Sequence, residues 1–347
     1  MITFPRLKTF LCVFPVSDTT WGLRGGTDEQ WRVKLTDARA VQAFGALLPY
    51  LNGQTRVEDM LDAIERTGFH REAASAVLRQ LEASSLLEDA DPHGLSEADL
   101  QQFDHQIRFF SRFTQQGGAK MQAALRDSRV ALIGDGPLAA SMDSRLTDAG
   151  IGRLIHTTSD DVTRDDLWID PLTTPQMLIV CQEAHDPRLL EAIDTLSKRR
   201  LLPWLLVRNL DLQEGWVGPL FVPGETASYL SLEARLRANM SNFAEYQAFD
   251  THVRESTRPP LMGGLHASHD LLASIAAIEA IKFLTEIKVP ELLGRFLTIN
   301  YWTWETELHD VLRMPALDRT DASSPRPTVF PWKIGRHDDS TSALRRA

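Results

Sequence analysis

The sequence predicts an α/β protein in which a small α+β unit precedes a larger domain built on a parallel sheet. Three observations carry this. Trp31, Val33 and Leu35 alternate with polar neighbours, the period of a half-buried strand, and apolar residues at helical spacing follow at once. Residues 130–157 read strand, glycine turn, helix, strand, a βαβ unit that implies parallel pairing. The chain has 347 residues, 43% apolar and 24% charged, which is enough for two domains with ordinary cores.

The front unit divides as follows. Residues 7–16 are rich in β-branched and aromatic side chains and predict a strand, Ser17-Asp18 turn the chain, and residues 19–23 resume an extended pattern. Arg24-Gly25-Gly26-Thr27-Asp28 is a second turn, and residues 30–35 form the third strand. Thr36-Asp37 offer a helix N-cap, after which Val41, Phe44, Leu47, Leu48 and Leu51 keep helical spacing up to Asn52-Gly53. Further helices are predicted over 57–66 and 71–86, the latter with Ala74, Val77, Leu78 and Leu81 on one face. Residues 88–97, acidic and carrying Pro92 and Gly94, read as a linker, and one helix over 98–115 joins it to the next domain.

That domain opens at Arg129. A buried strand over 130–133 runs into Gly134-Asp135-Gly136-Pro137-Leu138-Ala139, a helix over 138–148, the break Ala149-Gly150-Ile151-Gly152, and a strand over 153–157. Strands over 177–181 and 203–207 flank a helix over 187–199. A long apolar helix covers 271–287, 295–301 is extended, and 335–347 is a polar tail expected to be disordered. The domain boundaries are thus 1–90, a connecting 91–128, 129–334 and the tail 335–347.

Composition excludes several classes. No run of eighteen apolar residues occurs, so no membrane span is expected, and the short apolar N-terminal stretch lacks a cleavage site. Two cysteines, Cys12 and Cys181, are too few for a disulfide framework or a cysteine-built zinc site. A formal charge of −10 disfavours nucleic acid as partner. The expected setting is the cytoplasm.

The sharpest motif is Gly134-x-Gly136-x-x-Ala139 after a strand. Such a turn brings backbone to a pyrophosphate at a helix N-terminus, or simply lets strand and helix pack closely. Pro137 removes one N–H from that cradle and Asp135 places a carboxylate beside it, both of which argue against phosphate. His266 and His269 share the i, i+3 spacing of a metal pair, but no third ligand is identifiable, and the stretch also serves as a capping segment. Cys12 and Cys181 read as buried structural thiols. Trp302-Thr303-Trp304 reads as sheet or interface packing.

Residues 130–154, VALIGDGPLAASMDSRLTDAGIGRL, resemble the opening of the ThiF-like, ubiquitin-activating-enzyme-like fold. Residues 218–239, 271–284 and 293–313, the last including LGRFLTINYWTWETELHDVLR, are similar to one branch of it: the leader-peptide-binding proteins that partner YcaO cyclodehydratases in azoline-forming (TOMM) peptide biosynthesis. The strand and helix order of the front unit is similar to the PqqD-like recognition element of that branch. The resemblance therefore implies a PqqD-like winged-helix α+β domain followed by a ThiF-like Rossmann-type α/β domain.

It also implies a function. The front domain would capture the leader of a ribosomally made precursor peptide, and the ThiF-like domain would dimerise and present the peptide to a separate YcaO-type cyclodehydratase, which spends ATP to form thiazoline or oxazoline rings. On that reading the chain is a non-catalytic subunit with no catalytic residue, cofactor or metal of its own. The peptide would add a strand along residues 30–35 beside the 71–86 helix, touching Trp31, Arg32, Val33, Lys34, Arg71, Ala74, Ser75, Leu78 and Arg79. Gly134, Asp135, Gly136 and Ala139 would be a vestigial nucleotide loop.

Two departures from the family pattern accompany this. Ser228-Tyr229-Leu230-Ser231 stands where a cysteine pair for zinc often lies, and no cysteine occurs between Leu312 and Ser324. Residues 159–167 lack the Asn-Arg-Gln segment of the adenylating members. An ATP-dependent adenylating enzyme and a nicotinamide oxidoreductase are the competing readings.

Overall fold

The computed structural model describes residues 2–17, 20–25, 33–35, 38–162, 173–210, 213–255 and 263–318. Trp31, Arg32, the Thr36-Asp37 cap, residues 163–167 and the tail 335–347 fall outside these. The chain folds as two compact units, Met1–Asp127 and Ser128–Ala347.

In the first unit the elements are β1 (Pro5–Leu7), β2 (Leu11–Ser17), β3 (Thr20–Gly25), β4 (Val33–Leu35), α1 (Ala38–Leu47), α2 (Val57–Arg66), α3 (Arg71–Ala83), β5 (Leu87–Asp89), α4 (Glu97–Gln102), α5 (Asp104–Ser111) and α6 (Gly118–Arg126). Strands β2, β3 and β4 form an antiparallel sheet with β3 in the middle, Val13 opposite Leu23 and Trp21 opposite Leu35. The core fills with Leu23, Phe44, Leu47, Met60, Ile64, Leu81 and Leu86, all essentially inaccessible, and Trp21 meets Phe44 edge-on at 5.8 Å. The period-3.6 pattern found helices α1, α2 and α3 because each turns one face to this core.

Two expectations for this unit are corrected. Glu88 and Asp89 are not linker: β5 pairs antiparallel with β1, and the fully buried Glu88 is ion-paired with Arg6 at 2.8 Å. Three residues are too few to show a period, and a distant partner supplies the pairing. The single helix expected over 98–115 is two. The capping box of Ser96 and Asp99 starts α4, and Phe103, at φ −101° and ψ 17°, leaves the helical region before α5 begins. Helix α6 follows Gly117, whose φ of +85° and 2.3 Å clearance between an added Cβ and the Asp89 carbonyl oxygen leave room only for glycine.

The second unit contains β6 (Arg129–Ile133), α7 (Pro137–Asp148), β7 (Arg153–Thr157), α8 (Ser159–Val162), β8 (Met177–Gln182), α9 (Pro187–Arg200), β9 (Trp204–Arg208), β10 (Glu214–Phe221), α10 (Tyr229–Ala238), α11 (Phe243–Glu255), α12 (His266–Thr285), β11 (Arg295–Asn300) and β12 (Thr306–Asp310). Among the described residues, seven strands make one sheet in the order β12-β11-β10-β9-β8-β6-β7. The β7-β6-β8-β9 half is parallel and the β9-β10-β11-β12 half antiparallel. The inner parallel strands β6, β8 and β9 are buried and mostly apolar, as strands covered on both faces are, whereas the edge strand β7 carries Arg153, His156 and Thr157. Their core joins Val180, Leu190, Ile193, Trp204 and Tyr229.

Candidate active site

Strand β6 has β7 on one side and β8 on the other, so the strand order reverses at the carboxyl ends of β6 and β8, where open α/β sheets form their binding crevice. Gly134 leaves β6 at φ +138°, and a Cβ there would lie 2.7 Å from the Cys181 carbonyl oxygen of β8. The glycine is required both by its conformation and by this close approach. Gly136 caps α7 and Pro137 is its first residue, a position where the missing N–H is no loss.

The first free N–H of α7 is taken. Leu138 donates its backbone N–H to Glu183 Oε2 at 3.0 Å. The other carboxylate oxygen, Oε1, lies 3.2 Å from His269 Nε2 in the first turns of α12. Glu183 thus sits at the start of two helices, where partial positive charge favours an anion. His269 is 2% exposed and its Nε2 is also 2.9 Å from the Asn209 amide nitrogen, just past β9. The Tyr301 hydroxyl donates to Asn209 Oδ1 at 2.7 Å, orienting that amide. Nε2 can either donate to Glu183 or accept from Asn209, and the imidazole tautomer decides which. Cys181, beside it, is buried, and burial together with the Glu183 charge pushes its thiol far up, so it is no nucleophile.

A second charged network lies at the same end of β9. The buried Arg208 guanidinium stacks 5.2 Å from the Trp216 ring, and burial lowers its pKa. Glu233 accepts from the Tyr229 hydroxyl at 3.3 Å, from Tyr246 at 3.1 Å and from Arg237 at 2.7 Å. Asp250 is bonded by Arg237 at 3.0 Å and Arg254 at 2.8 Å, and His185 Nε2 stands 3.5 Å from it. Burial pushes the Asp250 carboxyl up, but Arg254 and Arg237 outweigh it and hold the group below its ordinary value. The same burial, with Arg208 nearby, holds His185 down. Neither cluster was read from the sequence. Their members come from loops and helices far apart in the chain, and only the His266–His269 spacing pointed toward one of them.

Of the residues expected to meet a peptide, Trp31 and Arg32 lie outside the described residues, and Val33 and Lys34 lie on β4, which pairs only with β3 among the described residues. Ala74 and Leu78 are buried in the core, Ser75 is half-buried and Arg79 exposed. Arg71 is bonded to the carboxylates of Glu58 and Asp62. His266 and His269 place their rings 6.3 Å apart, and among the described residues no group of three or more His, Cys, Asp or Glu gathers as a metal set. Ser228 and Ser231 bind a carboxylate: Asp318 Oδ1 accepts from the Ser228 N–H and the Ser231 hydroxyl, both at 2.8 Å. Trp302 and Trp304 are exposed, whereas Phe296 is buried between Trp216 and His309, with both ring centroids 4.7 Å away.

No protein-family model and no curated protein matches this chain. Solved structures do. The heterocyclase TruD aligns over 98% of this chain and 47% of its own, with 22% identity and a TM-score of 0.67. A heterocyclase solved with substrate and cofactor aligns over 92% and 39%, with 20% identity and a TM-score of 0.67. Escherichia coli MccB, solved with AMPCPP and MccA, aligns over 90% of this chain and 98% of its own, with 14% identity and a TM-score of 0.57. The chain therefore has the mixed α/β architecture of the ThiF-like fold and spans less than half the length of the heterocyclases it matches.

The expectation of a non-catalytic subunit is corrected by this. Structures that share the architecture are a heterocyclase and a microcin C7 biosynthetic enzyme, which are catalysts. At the glycine loop Pro137 is the first residue of α7, Asp135 is exposed, and the next backbone N–H, that of Leu138, is bonded to Glu183.

Proposed function

We propose that the chain is an enzyme of ribosomal-peptide maturation, the leader-capturing and ThiF-like part of a heterocyclase that forms azoline rings together with a YcaO-type cyclodehydratase. The observation that carries this is the likeness to heterocyclases over nearly the whole chain, front unit included, at about half their length. The leader adds a strand to β4, whose outer edge is unpaired among the described residues, and Lys34 and Arg79 offer positive charge to an acidic leader. Backbone bonds give sequence-tolerant affinity and the α3 side gives specificity. A titration of a labelled leader against the full chain tests it. Lys34→Glu with Arg79→Glu should weaken binding about tenfold, as loss of charge complementarity does. Unchanged affinity argues against the β4 placement.

A second reading is adenylation by this chain's own crevice. It is favoured by the glycine turn of Gly134 and Gly136 at the strand-order reversal, and by the full-length likeness to MccB. Peptide-dependent pyrophosphate exchange by the chain alone separates it from the first.

A further inference from the structure

Away from the crevice, the antiparallel half of the sheet and α10 enclose a cleft of about 600 Å³. Flat groups stand in a row: Trp216 on β10, Phe296 on β11 and His309 on β12 line the cleft, and the buried Arg208 on β9 stacks on Trp216 outside the lining. From Arg208 outward the spacings are 5.2, 4.7 and 4.7 Å, with the last two ring pairs tilted by only 16° and 23°. Phe296 and His309 face each other directly in the β11–β12 register, so the sheet itself sets the stacking. The row ends on the edge strand β12, where the His309 side chain remains 38% exposed.

The lining is acidic. Glu214, Glu305, Glu307 and Asp310 face one cation, Arg235. Arg235 gives its Nε–H to the Leu312 carbonyl at 2.8 Å, and Asp310 is paired with Arg295 at 2.8 Å. Among the described residues the Glu305 carboxylate accepts from the Thr303 hydroxyl alone, Glu307 has His309 at 3.5 Å, and Glu214 has no charged partner. A cavity of this size with an aromatic row and surplus carboxylates selects a group that is both flat and positive.

We propose that this cleft binds the guanidinium of an arginine side chain carried by the peptide the chain handles. The proposal rests on the peptide-maturation reading for the source of that arginine. A guanidinium extends the row by stacking on an aromatic face, and its N–H fork meets Glu305 and Glu307. Lysine has the charge without the plane, and phenylalanine the plane without the charge.

The test uses the full chain and the peptide acetyl-Gly-Gly-Arg-Gly-Gly-amide, with citrulline, lysine and phenylalanine replacing arginine in separate peptides, read by saturation-transfer NMR and titration. The arginine peptide should bind, and the citrulline peptide about tenfold more weakly. Glu305→Gln with Glu307→Gln, both at exposed positions that leave the fold intact, should weaken the arginine peptide several-fold. His309→Leu should weaken it as well without touching a carboxylate. Equal binding of arginine and citrulline peptides, preference for phenylalanine, no binding, or unaltered affinity in the double variant would each overturn the proposal. Leader binding measured on the same proteins keeps the two readings apart: a chain that binds leader but not the arginine peptide loses this site alone, and one that binds the arginine peptide but not leader loses the front-unit reading alone.

Discussion

The Glu183 carboxylate accepts the Leu138 N–H at 3.0 Å across the crevice between β8 and α7, the position where this kind of fold receives a ligand's anionic group. Side chain, strand end and helix start are thereby tied together, and the glycine between them has a definite role. A Cβ on Gly136 would lie 1.9 Å from Glu183 Oε2.

Gly136→Ala should therefore act by evicting Glu183. In urea unfolding of the full chain it should cost about 1–2 kcal/mol, the scale of a lost charge-assisted bond. In a Glu183→Ala background the same change should cost little. A double-mutant cycle showing additive losses contradicts the geometry.

Gly134→Ala has no such relief, because the clash is with backbone. At φ +138° and 2.7 Å from the Cys181 carbonyl oxygen, it should destabilise by about 2 kcal/mol or more, a combination of strain and forced strand separation. A near-silent substitution in the same unfolding assay would show that β6 and β8 are not this close.

The two thiols should behave oppositely. Cys12 is exposed, while burial pushes Cys181 far up. Titration with a chromogenic disulfide at mildly alkaline pH should find one fast thiol in the native chain and the second only in denaturant. Two fast thiols would contradict the burial of β8.

How much of this was legible beforehand follows from where each signal resides. Helix α2 and the βαβ unit around Gly134 were readable because apolar spacing and glycine turns are local. Strand β10 was not read. Gly215, Gly218 and Pro219 look like breakers, and the strand tolerates them through a shift of register between Val217 and Leu220. Strand β12, Thr-Glu-Leu-His-Asp, has no apolar alternation because it is a polar edge. Glu183, Asn209, His269 and Tyr301 come from four separate segments, so only folding brings them together. The Ser228–Ser231 departure was visible as missing cysteines, but its use, binding Asp318, depends on the return of the chain after β12.

That clasp and the Asp250 network set a pH dependence. Burial raises both carboxyls, but the hydrogen bonds of Ser228, Ser231 and Met314 hold Asp318 low, and Arg254 and Arg237 hold Asp250 low. His185 is held low by burial and Arg208, so its folded form prefers to be neutral. In all three the folded pKa lies below the unfolded one. The stabilisation is therefore present above the unfolded values and lost as pH falls through the folded ones. Urea midpoints of the full chain should drop first below the histidine range, near pH 6.5, and again below the carboxylate range, near pH 4. Asp318→Asn and Asp250→Asn should flatten the second drop. A midpoint that rises on acidification contradicts the assignment.

Trp302 and Trp304, 67% and 69% exposed, are expected to be covered by a second copy of the chain. Light scattering at micromolar concentration should give a dimer, and Trp302→Ser with Trp304→Ser a monomer. A monomeric parent chain contradicts this.

On the function proposed above, this chain takes part in enzymatic maturation of a ribosomally made peptide. Mass spectrometry of a precursor incubated with ATP, this chain and a YcaO-type cyclodehydratase tests it most directly. The precursor should lose one water per heterocycle formed, only when this chain is present and only when the leader is attached. A precursor whose mass is unchanged, or one that loses water equally well without this chain, would contradict the claim.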